Sequence, residues 1–370
     1  MHFDSIATVL ALVCTLPACI VAHLLDHGND ALNLIYQFPN LTALENIAVR
    51  SSGELLVTLP TAPELYQVDP FHPVKASLVY RFPNATALLG IDEIEHDVFA
   101  VVVGTVNPPT PVPGSFSVWR VDMRRFETNK DGSGSVVRGA AARVITAIPE
   151  AALLNGLIRL PGTPFILVAD SGLGVVWRVH AQTAAYTQVL ASALMRPPPG
   201  PDGGVLGVNG IRLFGGALYF TNTLQGLFGR VPIRGRGAGA GTAAGDYAVV
   251  ARNGRADDFA FDARGNAYVA QNFDNGLQLI TPDGRVSVVA GAKNSTALES
   301  DAACAFGRTP RDRDTLYVVT SGGLSETIPG TYREGGKIVA VHVDKLGIST
   351  GNGKPSSIVE GDGNCRVAVI

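Results

Sequence analysis

Residue types able to do covalent or metal chemistry are sparse in this chain. The histidines are scattered: His2 and His23 near the start, His72 and His96 in early loops, His180 and His342 at predicted strand ends. Among these six none pairs at a zinc-ligand spacing; the seventh, His27, lies four residues after His23. No G-x-S-x-G elbow presents a serine nucleophile, so a Ser-His-Asp hydrolase finds no support. The glycine-rich run 234–245 lacks a phosphate-loop lysine and the dinucleotide spacing, and reads as a flexible hairpin tip. What recurs is a polar dyad at strand ends: Asp170-Ser171, Thr221-Asn222, Gln271-Asn272 and Thr320-Ser321. It could close the edge of each strand unit, or place hydrogen-bond donors at the mouth of a channel.

These dyads belong to a repeating unit. Phe259-Ala-Phe261, Ala267 to Gln271, Gly276 to Ile280 and Arg285 to Val289 are short apolar segments separated by Asn, Asp and Gly turns. Four such segments in succession describe four antiparallel strands, the blade of a β-propeller. Looser copies start at Leu44, Leu88, Leu154, Val208 and Cys304, with anchors recurring about every 50 residues. The expectation is an all-β chain: one six-bladed β-propeller domain over residues 23–370. Trp177 reads as packing in an outer strand. Two proline-rich stretches, 108–113 and 196–201, read as stiff loops.

Residues 6–13 are apolar and are followed by small residues up to Ala22, a secretory signal pattern over 1–22. No later stretch is long enough to span a bilayer, so no stable membrane insertion is expected after cleavage. Asn40, Asn84 and Asn294 open N-x-S/T sequons and are candidate glycosylation sites. With Cys14 and Cys19 removed in the leader, Cys304 and Cys365 remain. In an oxidising compartment they would form one disulfide; otherwise they are buried thiols. The expected location is the secretory pathway, secreted or lumenal. Lys and Arg (29) nearly balance Asp and Glu (32) without a basic run, which argues against nucleic-acid binding. A propeller needs no partner to fold, and a monomer is expected.

In order and spacing, Glu45, Asn155-Gly156, Asn209-Gly210 and Asp257 ahead of Phe259-Ala-Phe261-Asp262-Ala-Arg-Gly265 resemble a known family. It is the senescence-marker-protein/gluconolactonase/luciferin-regenerating-enzyme-like family of six-bladed propellers. The segment Leu44-Glu45-Asn46-Ile47-Ala48-Val49-Arg50 most resembles its secreted fungal branch, which includes hetero-Diels–Alderases joining a tropolone-derived o-quinone methide to a sesquiterpene such as humulene. The resemblance implies that Glu45, Asn155, Asn209 and Asp257 face a central channel. In hydrolytic members such residues hold one divalent cation, Ca or another, which could polarise a lactone carbonyl with the Asp as base. This chain departs from that pattern. Asp258 replaces the Gly after the family's Asp, Leu154 and Val208 replace the Pro before each Asn, and Asn46-Ile47 replaces Gly-Pro.

Three functions follow as expectations. One is a pericyclase of fungal secondary metabolism, which requires no cofactor and takes an o-quinone methide precursor and a cyclic sesquiterpene. Asn155, Asn209, Asp257 and Asn272 would be its catalytic polar groups, with Phe273 and Glu45 binding substrate. The second is a divalent-metal-dependent lactonase of the gluconolactonase type. The third is a non-catalytic ligand-binding propeller.

Overall fold

The computed structural model describes residues 31–73, 75–129, 131–200, 204–324 and 327–346. These form six four-stranded antiparallel sheets, with two short two-stranded ladders, and no α-helix. The innermost strands are Asn46–Val49, Ala87–Glu95, Leu154–Arg159, Val208–Phe214, Phe259–Phe261 and Asp301–Phe306. Each neighbours the next, and the last neighbours the first, so they close a ring around a central channel. The expected six-bladed β-propeller is the observed fold.

The sixth blade differs from expectation in one strand. Its outermost strand is Leu32–Gln37, which pairs antiparallel with Lys337–His342 in the register Leu32 to Val341. A propeller whose last blade is completed by its first strand has no open seam, because the ladder itself locks the ring.

Alternation along each strand explains how the blades stack. In blade one, Ile47, Val49, Leu55 and Val57 pack toward blade six, while Ala48, Leu56, Leu65 and Val79 pack toward blade two. Each of the six blade interfaces carries its own hydrophobic cluster. Trp177 is buried in the cluster between blades two and three, and its Nε1 donates to Asp170 Oδ2 at 3.2 Å. It is packing, as expected.

Two of the polar dyads latch neighbouring blades, while Asn272 of a third donates to Asp257. Ser171 Oγ donates to the Val208 carbonyl at 2.6 Å, Thr221 Oγ1 to the Asp257 carbonyl, and Thr223 Oγ1 to the Ala256 carbonyl at 2.8 Å. Thr58 Oγ1 does the same to Leu89 at 2.7 Å. In each case a hydroxyl near the end of a blade's second strand latches onto the next blade's innermost strand or its approach. Asp170 accepts the N–H groups of Ala152, Leu153 and Leu173.

The run 234–245 is a hairpin tip, but a pinned one, contrary to the flexible tip expected. Ile233 bridges Ala243, Ala240 is fully buried, and Arg178 Nη1 donates to the carbonyls of Ala238 and Ala240. Small residues let this loop lie against blade three, where a side chain on Gly241 would strike Leu167.

One irregularity sets up the channel. The pairing of the innermost strand with its neighbour skips register between Leu88 and Ile91, Leu154 and Leu157, Val208 and Ile211, and Asp301 and Ala303. Such a bulge shifts the in–out alternation by one residue. Residues on both sides of it can therefore face the channel. The bulge glycines also bring adjacent backbones together. A Cβ on Gly156 would lie 2.6 Å from the Asn209 carbonyl oxygen, and one on Gly210 would strike Asp258.

Candidate functional site

The channel has two chemically distinct halves, and the bulges separate them. At the strand-start half, the structure brings most of the sequence-predicted residues together. Asn209 Nδ2 donates to Asp257 Oδ1 at 2.7 Å and to Thr223 Oγ1 at 3.0 Å. Asn272 Nδ2 donates to Asp257 Oδ2 at 2.7 Å. Asn155 stands one blade away, with Nδ2 donating to Ser171 Oγ at 3.2 Å. Glu45 lies close enough to Asp257 for the two charges to oppose each other. The ring of Phe273, next in sequence to Asn272, lies 4.0 Å beneath the guanidinium of Arg255.

Removal from water raises Glu45, Asp257 and Asp301, because the charged form loses hydration. Glu45 is pushed up to about 7 by burial and by the nearby Asp258 charge. Asp257 is raised well above the ordinary range by burial and by Glu45, against the opposing hydrogen bond from Asn272. Asp301, buried behind Gln271, is pushed up to about 7 by burial, with the N–H of Gln271 opposing. Burial and the neighbouring carboxylates thus disfavour holding Glu45 and Asp257 charged together. For a divalent cation this half offers carboxylate and amide oxygens, which suit a hard ion. Both Asp257 oxygens already accept amide N–H groups, and among the described residues no three His, Cys, Asp or Glu side chains are grouped to hold a metal.

The strand-end half is a cavity of about 470 Å³. Ala48, Asp92, Ile158, Arg212, Ala260 and Cys304 line it, each from a different blade, and each stands three residues after its blade's residue in the strand-start ring. Ile47, Ile91, Leu213, Phe261 and Phe306 add hydrocarbon wall. Phe261 is held in an aromatic cluster with Phe214, Tyr219 and Phe259, so that side of the wall is rigid. At the rim, Arg308 Nη1 pairs with Glu93 Oε2 at 2.6 Å and donates to the Val49 carbonyl at 2.8 Å.

The sequence departures from the family pattern meet beneath this cavity. Asn46 Nδ2 donates to Asp258 Oδ2 at 2.9 Å, and Arg212 Nη2 pairs with the same oxygen at 2.8 Å. Asp258 Oδ1 accepts the N–H of Phe259 at 2.7 Å. Asp258, placed where blades three and four carry a bulge glycine, thus fixes an arginine in the channel. Asp92 also lines the cavity, its Oδ2 accepting the N–H of Arg159 at 2.7 Å. Burial pushes Asp92 up to about 6, against that bond and the Arg212 charge.

Among the described residues Cys304 has no disulfide partner; it is buried, and its Sγ donates to the Tyr268 carbonyl at 3.2 Å. Cys365, its expected disulfide partner, lies outside the described residues, as does the predicted signal segment 1–22. Burial and the Asp258 charge push the Cys304 thiol far up, which keeps it protonated and non-nucleophilic. Iodoacetamide at pH 8 is expected to leave Cys304 unlabelled in the native protein and to label it in guanidinium, read by peptide mass spectrometry. Equal labelling in both would show that the cavity wall opens. The sequon residues Asn40, Asn84 and Asn294 all sit on exposed turns.

Comparison with known proteins adds the following. In solved structures, the luciferin-regenerating enzyme superimposes with a TM-score of 0.59 at 13% identity, covering 84% of this chain and 94% of that one. The chain has that fold. The calcium-binding protein regucalcin from Agrobacterium tumefaciens gives 0.53 at 14% identity, with the same coverage. These likenesses bear out the resemblance in architecture. No protein-family model matches the chain. Among curated proteins, one assigned as a hetero-Diels-Alderase in Phoma sp is 29% identical over 319 residues, 79% of this chain and 88% of that protein. Another so assigned, from Sarocladium schorii, is 26% identical over 335 residues, 81% of this chain and 80% of that protein. The chain is thus similar to proteins assigned as biosynthetic enzymes acting on small molecules.

Proposed function

We propose that this protein is a hetero-Diels–Alderase that joins a tropolone-derived o-quinone methide to a cyclic sesquiterpene such as humulene. The observation carrying this reading is the strand-end cavity, rigid and mostly hydrocarbon, taken with the two similar proteins assigned to that chemistry. A cycloaddition needs no nucleophile or leaving group. It needs two reactants held at bonding distance, and fixed donors at the oxygen where electron density develops. A cavity of this size falls within the range of small-molecule sites, roughly 300–1,000 Å³. The nearest thiol, Cys304, is neutral and bonded, so an electrophilic methide meets no competent nucleophile there.

In this reading Asn155, Asn209, Asp257 and Asn272 lie beyond the bulges and brace the channel that the reactants enter from the other end. Were a divalent ion bound, Glu45, Asn155, Asn209 and Asp257 would hold it, and it would supply charge that polarises a carbonyl. The cycloaddition does not require it. The exposed sequons fit passage through the secretory pathway, which we include in the proposal.

The test incubates purified protein with a quinone methide precursor and humulene and follows the cycloadduct by chiral chromatography. Wild-type protein is expected to give one enantiomer. Ile158→Trp, which fills the cavity from blade three, is expected to lower the rate by about a hundredfold, through lost positioning, without moving the unfolding temperature. Chelator is expected to change neither rate nor selectivity. A racemic adduct at the uncatalysed rate would end the pericyclase reading. Hydrolysis of a lactone that chelator abolishes would replace it with the metal-dependent hydrolase.

A further inference from the structure

We propose that Asp92 and Arg212 form the ligand-reading pair of the strand-end cavity, selecting a small hydrocarbon-rich molecule that carries a hydroxyl beside a carbonyl. The carboxylate accepts the hydroxyl hydrogen and the guanidinium donates to the carbonyl oxygen. This rests on the reading above only in taking the same cavity as the place where reactants bind.

Three observations carry it. First, the charged residues lining the cavity are Asp92, Glu93, Arg159, Arg212 and Arg308; Arg308 and Glu93 close on each other at 2.6 Å, and Arg159 is exposed. Second, Arg212 is held rather than satisfied. Its Nη2 is fixed by Asp258 at 2.8 Å and its Nη1 by the Ile211 carbonyl at 2.9 Å, while Asp258 is itself braced by Asn46 and the Phe259 N–H. A guanidinium has five donors, so this anchoring leaves N–H groups on a side chain that lines the cavity. Third, Asp92 faces the same cavity and forms no ion pair among the described residues; its Oδ2 takes a backbone N–H from Arg159. Donor and acceptor sit near enough to feel each other's charge, yet do not consume each other.

Half-buried polar groups kept apart in an apolar cavity are costly unless a partner arrives. A ligand with donor and acceptor on neighbouring atoms supplies both partners at once. A molecule with only the carbonyl leaves Asp92 unpaired, and this is how hydrogen-bonding sites discriminate between near-isosteres.

The probes are ortho-hydroxyacetophenone and acetophenone, which differ by the one hydroxyl, with binding followed by ligand-detected NMR at pH 7.5. Wild-type protein is expected to prefer the hydroxy ketone by roughly tenfold or more. Asp92→Asn is expected to remove most of that preference while acetophenone binding stays within about twofold. Arg212→Lys, which keeps a charge beside Asp258, is expected to weaken both. Ile158→Trp should abolish both, placing the probes in this cavity. Thermal unfolding of each variant, scanned alongside, guards against a folding defect. If Asp92→Asn keeps the full preference, or Ile158→Trp leaves binding intact, the proposal is overturned. The two proposals fail separately: a preference that depends on Asp92 without any cycloadduct would sink only the pericyclase. An adduct formed equally well by a stably folded Asp92→Asn variant, with its probe preference unchanged, would sink only the reading pair.

Discussion

Gly156→Ala is expected to cost on the order of 3 kcal/mol of stability or more, or to prevent accumulation of folded protein. The new Cβ would sit 2.6 Å from the Asn209 carbonyl oxygen, 3.1 Å from Gly210 Cα and 3.2 Å from the Ile211 nitrogen. All three are backbone atoms of the next blade, so no side chain can swing away. Relief requires blades three and four to part at the channel, where Ser171 latches onto Val208. The control is Gly139→Ala, where an added Cβ meets nothing within 4 Å. Thermal unfolding by circular dichroism reads both. An unchanged melting temperature for Gly156→Ala would mean that the close approach of the innermost strands is not part of what holds the ring.

The second large effect concerns Asp301. It is fully buried, its Oδ2 accepts the Gln271 N–H at 3.0 Å, and its Oδ1 has no partner among the described residues. Its folded-state pKa, about 7, lies above the ordinary value of 3.8. The folded protein therefore holds this proton after the unfolded chain has lost it. Stability from this group is full below about pH 4 and falls as pH rises through the interval to about 7, since the native state then binds more protons than the unfolded one. Glu45, Asp257 and Asp92 act in the same direction. Asp301→Asn removes one contribution while keeping an acceptor for Gln271. It is expected to stabilise the protein at pH 8 by on the order of 2–4 kcal/mol and to do little at pH 4. Denaturant melts at the two pH values decide it. A variant that is no more stable at pH 8 than the wild type would show that Asp301 ionises without penalty, through water reaching Oδ1.

The six blades were legible because strand, tight turn and strand recur with small residues at the corners. The closing strand Leu32–Gln37 was not, since nothing local ties it to Lys337–His342, at the far end of the chain. Glu45, Asn155, Asn209 and Asp257 carry a pattern of order and spacing, and they do meet or neighbour one another. Phe273, expected as an apolar wall, carries the guanidinium of Arg255 over its ring. The cavity residues Asp92 and Arg212 escaped notice for a physical reason. The bulge at 89–90 and at 209–210 shifts the alternation, so a strict period of two places Asp92 and Arg212 on the wrong face. The signal was present as an offset: Ala48, Asp92, Ile158, Arg212, Ala260 and Cys304 each follow the ring position by three. Asn46 and Asp258, recognisable only as departures from a familiar pattern, are hydrogen-bond partners, and each makes sense only beside the other.

The pairing of Leu32–Gln37 with Lys337–His342 also governs the order of events at the ribosome. Strand Leu32–Gln37 must wait until residues 337–342 have emerged before it finds its partner. During that interval the nascent chain exposes two unmatched ladders, one at each end, and each can recruit a strand from a neighbouring molecule. Expression yield should therefore depend on how quickly the final blade is delivered, and a stalled or truncated chain is a better seed for aggregates than a destabilised full-length one.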